Sequence, residues 1–143
     1  MEKISGETRL IVVEDSDADY MALKRSLKKL DVANEIRRFE DADDALDFLE
    51  RIYKSAAAEP VIILLDLNLP GTDGRDFIVQ VKQDDALKQI PIVVFSTSSN
   101  PKDIEFAYVN GANGYMVKPV SVTKFHNSMS SFKSYWLETN CLM

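Results

Sequence analysis

The chain has little of what covalent cross-linking, membrane insertion or nucleic-acid binding would require. Among 143 residues there is one cysteine, Cys141, and one histidine, His126. A lone cysteine excludes an intramolecular disulfide and suits a reducing compartment. No apolar run approaches the ~20 residues of a membrane span. Met1-Glu2-Lys3-Ile4-Ser5-Gly6-Glu7 lacks the apolar stretch of a signal peptide, so a cytoplasmic location is expected. Positive charge is also in short supply: 17 Lys and Arg against 23 Asp and Glu leave a net charge of −6. That balance argues against sequence-independent nucleic-acid binding, which needs a basic surface to displace counterions. No G-x-G-x-x-G or Walker A pattern follows a strand, which speaks against a nucleotide-binding module. Repeats, linkers and low-complexity segments are absent too.

What is present is the makeup of an ordinary globular domain, 45% hydrophobic and 28% charged. The length fits one domain over residues 1–143, with no output domain expected. Short β-rich runs alternate with longer helical stretches. Leu10-Ile11-Val12-Val13 reads as a buried strand ending at Glu14-Asp15. Ser16 or Asp17 caps a helix whose Tyr20, Leu23, Leu27 and Leu30 recur at helical spacing. Asn34 to Phe39 is a weaker strand, and Asp41 to about Ser55 a helix with Ala45, Leu46, Phe48, Leu49 and Ile52 as its apolar stripe. Val61-Ile62-Ile63-Leu64-Leu65, apolar on both faces, belongs in the middle of a parallel sheet. The turn from Leu69 to Gly74 leads into a helix with Phe77, Ile78 and Val81. Pro91 to Phe95 is a fourth strand. Pro101 opens a helix carrying Ile104, Ala107 and Tyr108, and Gly111 terminates it. Tyr115-Met116-Val117 is a fifth strand. A last helix carries Val122, Phe125, Met129, Phe132 and Trp136.

Five βα units imply a parallel sheet with helices on both faces. Right-handed crossovers make the doubly wound, flavodoxin-like (βα)5 sandwich the expected fold, with strand order 2-1-3-4-5. Ligands in such sheets sit beyond the carboxyl ends of the strands, where strand order reverses. Here that is between strands one and three, so Glu14, Asp15 and Asp66 should share one crevice. Strand four delivers Ser96-Thr97-Ser98 to the same edge, and strand five delivers Lys118.

Three close carboxylates repel one another, and burial raises their pKa values. A bound cation removes the conflict. An all-oxygen set favours a hard ion, and Mg²⁺ takes one or two carboxylates, keeps waters and accepts phosphate oxygens. Lys118 would neutralise Asp66 and later a phosphate oxygen, Thr97 would offer a hydroxyl, and Asp66 can act as a nucleophile.

Glu14-Asp15, Asp66, Thr97 and Lys118-Pro119 together resemble the signature of two-component response-regulator receiver domains. The resemblance runs from about Arg9 to the last helix. It implies that Asp66 takes a phosphoryl group from a phosphohistidine on a sensor kinase. It implies Mg²⁺ held by the side chains of Glu14, Asp15 and Asp66 and by the backbone carbonyl of Asn68. Thr97 and Tyr115 would be the switch pair, the peptide before Pro119 would be cis, and the response would reach the surface of the fourth helix, fifth strand and fifth helix. Such a protein is no enzyme beyond its own phosphorylation and dephosphorylation. Asp66-Leu67-Asn68-Leu69-Pro70 with Asp73-Gly74-Arg75, the polar stretch before the third strand and Phe132…Trp136-Leu137-Glu138 look like the single-domain regulators paired with phytochrome histidine kinases. Output would then be a protein contact or onward transfer to a histidine phosphotransfer protein.

Glu14 stands where many receivers have Asp. Ser99, two residues beyond Thr97, is small and leaves the phosphoryl group open to water. An aspartyl-phosphate hydrolase would need a second Asp two residues after the nucleophile, and Asn68 cannot serve as acid or base. The intact set of five residues speaks against a degenerate receiver. His126 lies off the expected site and reads as solvated. Taken singly, Asp66 reads as a capping carboxylate, Glu14-Asp15 as an acidic helix start, Lys118 as a surface lysine and Tyr115 as a packed aromatic. Only their common register points to chemistry. The last helix bears Tyr135 and Leu137 off its main stripe, more apolar surface than one sheet face can cover. A homodimer through the last strand and helix is expected.

Overall fold

The computed structural model describes residues 8–54, 60–140 and 142. The chain runs β1 (Arg9–Val13), α1 (Asp17–Lys29), β2 (Ile36–Phe39), α2 (Ala42–Tyr53), β3 (Val61–Leu65), α3 (Gly74–Gln83), β4 (Ile92–Ser96), α4 (Pro101–Val109), β5 (Gly114–Val117) and α5 (Val122–Phe132), followed by a π-helical turn at Lys133–Thr139. The strands form one parallel sheet of order β2-β1-β3-β4-β5. This is the expected doubly wound topology.

Alternation along each strand divides the core in two. Ile11, Val13, Ile63, Leu65, Ile92 and Val94 face the layer of α2, α3 and α4, where Leu49, Phe77, Ile78 and Val81 are fully buried. Leu10, Val12, Ile62, Leu64, Val93 and Phe95 face α1 and α5, against Leu23, Leu27, Met129 and Phe132. Each such side chain contributes roughly 1.5–3 kcal/mol by leaving water. The central strands β3 and β4 are buried along their whole length, which is why they read as unbroken apolar runs.

Helix starts follow their side chains. Ser16 caps α1 by accepting from the Asp19 N–H, while Asp17 is free to pair with Arg38 at 2.7 Å. Asp41, Asp73, Asn100 and Ser121 cap α2, α3, α4 and α5. Gly111, at φ +103°, follows the end of α4.

Four boundaries or faces differ from expectation. β2 begins at Ile36 rather than Asn34, and the Asn34 side-chain Nδ2 donates to the Thr8 carbonyl at 2.8 Å, anchoring the segment just before the strand. α2 stops at Tyr53, and Ser55 lies outside the described residues. Tyr108 does not join Ala107 in the core but is exposed. The largest difference is at the end of the last helix. The π turn widens the spacing, so Leu137 follows Phe132 into the core while Tyr135 turns outward. Trp136 is half-buried and its ring comes near Gly114 of β5. The apolar surplus on this helix is therefore smaller than expected. Cys141 and Met143 lie outside the described residues.

Candidate functional site

Register brings the acidic residues together. Val13 pairs with Leu65 across β1 and β3, so Glu14 and Asp66 leave the sheet side by side. The Asp66 N–H donates to the Val13 carbonyl at 3.0 Å, locking that exit. Ser96 pairs with Val117, and the Lys118 N–H then donates to the Ser96 carbonyl at 2.7 Å. Each carboxylate also has a local anchor. One Glu14 oxygen accepts the Ser16 N–H at 3.1 Å, and Asp66 Oδ1 accepts the Asn68 N–H at 3.2 Å.

Lys118 is the centre of the cluster. Its ammonium is buried and donates to Glu14 Oε1, to Asp19 Oδ2 at 2.9 Å and to Asp66 Oδ2 at 3.4 Å. Burial works against its charge, but the bonds to Glu14 and Asp19 outweigh it and hold the pKa above the ordinary value. Burial pushes the Glu14 carboxyl up to about 7, with the Asp66 charge adding to the rise and Lys118 opposing it. One ammonium thus serves three carboxylates, and the site is short of positive charge.

That shortage bears on a metal. Carboxylate oxygens of Glu14, Asp15 and Asp66 lie within 4.8 Å of one another, with Asp15 exposed at the mouth and the other two buried. The donors are all oxygens, and a hard dication would relieve the repulsion that burial imposes on Glu14. The residues present fit Mg²⁺.

The remaining expected residues stand around this centre. Thr97 immediately follows β4 and is exposed, and it lines with Lys118 and Pro119 a groove of about 680 Å³ between α1 and the start of α5. Asn68 is exposed two residues beyond Asp66. The Tyr115 hydroxyl donates to the Ser98 carbonyl at 2.9 Å, next to Thr97. His126, expected to be solvated, is half-buried in the groove wall. The Lys118–Pro119 peptide, expected to be cis, is trans, since the described residues contain no cis peptide. Trans is the intrinsically favoured isomer of an X–Pro bond by about 0.5–1 kcal/mol. In that isomer Lys118 still reaches its three carboxylates.

Two participants are not evident from the strand-end pattern. Asp19 sits in the first turn of α1, and only the path of that helix brings it to Lys118. Arg38 is the penultimate residue of β2, and its Nε–H donates to the Glu14 carbonyl at 2.9 Å while its guanidinium lies 4.8 Å from the Tyr20 ring centre. It fixes the loop that carries Glu14 and Asp15. An arginine at the end of the neighbouring strand was the available signal for it.

Comparison with known proteins agrees with this geometry. Residues 10–130 match the family described as the response regulator receiver domain. The chain is 34% identical over 131 residues to the probable methanogenesis regulatory protein FilR2 of Methanothrix harundinacea, spanning 92% of this chain and 84% of FilR2. It is 36% identical over 132 residues to the response regulator Rcp1 of Synechocystis, spanning 91% and 89%. The solved Mn²⁺-bound form of Rcp1 superposes with a TM-score of 0.83 at 33% identity, over 96% of this chain and 99% of that one. The phosphorylated cyanobacterial phytochrome response regulator RcpA gives 0.84 at 34% identity, over 94% and 96%. Among the described residues no helix is long and apolar enough to cross a membrane.

Proposed function

The chain belongs to the response regulator receiver family, and we propose that it works as a cytoplasmic phosphorylation switch whose phosphoacceptor is Asp66. One observation carries this reading. Glu14 and Asp66 emerge together from paired strands, with the Lys118 ammonium between them and Asp15 at the mouth. Members of this family are regulators rather than enzymes acting on outside substrates.

The roles follow from the donors. Glu14, Asp15, Asp66 and the Asn68 carbonyl would hold Mg²⁺, and the Mn²⁺-bound form of Rcp1 supports a divalent ion here. Bound there, the ion would neutralise charge on the transferring phosphoryl group. The Asp66 carboxylate attacks phosphorus, a P–O bond forms, and the P–N bond to the donor imidazole breaks. Asp66 Oδ1 is already held by the Asn68 N–H, and Oδ2 is turned toward Lys118. Lys118 screens the carboxylate before transfer and a phosphate oxygen after it. Thr97 supplies a hydroxyl to the acyl phosphate, and Tyr115 follows its loop.

The donor is a sensor histidine kinase of phytochrome type. RcpA, a phytochrome response regulator, supports that pairing. Output passes through α4, β5 and α5, by dimerisation or by transfer to a histidine phosphotransfer protein. Tyr108, Val109, Val117, Val122 and Tyr135, on these elements and the turn that follows, are exposed apolar side chains suited to a partner. No role for nucleic acid or membrane is proposed.

Incubation with acetyl phosphate or phosphoramidate tests the core of this reading. One phosphoryl group should be gained with Mg²⁺ and none when the metal is chelated. Asp66→Asn and Asp66→Ala should gain none. Label on either variant would refute the assignment.

A further inference from the structure

The site is split between two loops that do not pair with each other. One follows β3 and carries Asp66; the other follows β4 and carries Thr97. A single side chain spans them. Arg75, in the first turn of α3, donates from Nη1 to both oxygens of Asp73 at 2.9 and 3.1 Å. From Nε and Nη2 it donates to Asp103 Oδ1, in the first turn of α4, at 3.2 and 2.7 Å. The other Asp103 oxygen, Oδ2, accepts the Ser98 hydroxyl at 2.6 Å. Ser98 follows Thr97, and its carbonyl is the acceptor of the Tyr115 hydroxyl.

Every link in this chain is directional. A planar guanidinium that grips two carboxylates fixes angle as well as distance. Asp103 is filled on both oxygens, so a shift of Arg75 is felt at Ser98. The Ser98 carbonyl in turn is the point where the Tyr115 ring is tethered. Arg75 and Asp103 are only partly exposed, 28% and 20%, and surface pairs of that kind add little to global stability. Their effect is on geometry.

We propose that Arg75 and Asp103 are positioning residues, a clamp that sets the loop carrying Thr97 and the orientation of Tyr115 relative to Asp66. The link to phosphoryl transfer rests on the reading of Asp66 and Thr97 given above. The clamp itself rests on the hydrogen bonds alone. Because Asp73 caps α3 at the far end of the loop that begins with Asp66, the clamp refers the position of Thr97 to the loop that holds the nucleophile. Small misplacements of reacting groups carry large rate penalties.

Fluorotyrosine incorporated into the full chain gives the test. The Tyr115 resonance is assigned by its loss in Tyr115→Phe. In the unphosphorylated protein, Arg75→Met and Ser98→Ala should each shift or split that resonance while leaving those of Tyr20 and Tyr53 in place. With acetyl phosphate, both variants should label Asp66 roughly tenfold more slowly at unchanged Mg²⁺ affinity. The double variant should be no slower than either single one, because both cut the same chain. A Tyr115 resonance that stays put in both variants overturns the clamp, whatever the label does. A moved resonance with an unchanged labelling rate overturns its link to Thr97. Wild-type protein that takes no label at all overturns the reading of Asp66 instead, and the fluorine signal still decides the clamp.

Discussion

A Cβ built on Gly74 would stand 2.5 Å from the carbonyl oxygen of Asp66 and 2.7 Å from the Leu67 Cα. The start of α3 is thus pressed directly against the backbone of the proposed phosphoacceptor. The Gly74 N–H completes the contact by donating to the Leu67 carbonyl at 3.0 Å. Gly74 is needed here for close approach, since its φ is not in the left-handed region. Gly74→Ala must push the two backbones apart. It should destabilise the protein by about 1–3 kcal/mol, in the range of overpacking, and slow labelling of Asp66. Urea unfolding with parallel labelling checks both, and a neutral Gly74→Ala would contradict the packing.

Among the described residues Lys118 is the only cation that contacts Glu14, Asp19 and Asp66 together. Lys118→Met leaves two buried carboxylates without a counter-charge. In metal-free buffer the variant should lose about 3 kcal/mol, as when one partner of a buried pair is removed. Mg²⁺ should bind it more tightly than it binds the wild type and restore part of the stability, because the ion takes over the missing charge. Labelling should fall sharply all the same. Isothermal titration and thermal unfolding with and without Mg²⁺ measure this, and weaker Mg²⁺ binding would contradict it.

Asp103 supplies a pH dependence. The Ser98 hydroxyl, and then Arg75, hold its carboxyl below the ordinary value of 3.8. A depressed carboxyl stabilises the fold at pH values above its unfolded pKa and loses that contribution as pH falls through the folded one. A small stability gap between wild type and Asp103→Asn, as expected of a partly exposed pair, should therefore be present near neutral pH and shrink below about pH 4. Unfolding midpoints of the two proteins across that range give the answer. A gap that widens on acidification would contradict the hydrogen-bonding seen here.

Val109, Val120 and Val122 are among the most exposed large apolar residues, at 76%, 104% and 86%. They lie on α4 and at the turn into α5. If this surface joins two copies, light scattering behind size exclusion should give a dimer, and Val122→Glu should shift it toward monomer. A monomer at micromolar concentrations, with and without a phosphoryl mimic, would remove the dimer from the account.

The sheet and the strand-end residues were legible because each depended on a short segment. Val61 to Leu65 shows its burial in five letters, and Glu14, Asp66 and Lys118 sit at ends that topology alone aligns. What was not legible required a path through space. Asp19 reaches Lys118 only because α1 leaves the strand at the angle it does. The Ser98–Asp103–Arg75 chain joins three segments, and no periodicity marks it. The π turn at Lys133–Thr139 resets the helical spacing, so Leu137, expected off the main stripe, is buried. The trans peptide before Pro119 turns on a difference smaller than sequence can register.

The most direct test of the account is the identity of the phosphorylated atom. After incubation with acetyl phosphate and Mg²⁺, reduction by labelled borohydride marks an acyl phosphate at the carbon that carried it. Peptide mapping should then find the label on Asp66 alone, and none in protein treated without Mg²⁺. Label at Glu14, Asp15 or any residue other than Asp66 would contradict the central claim.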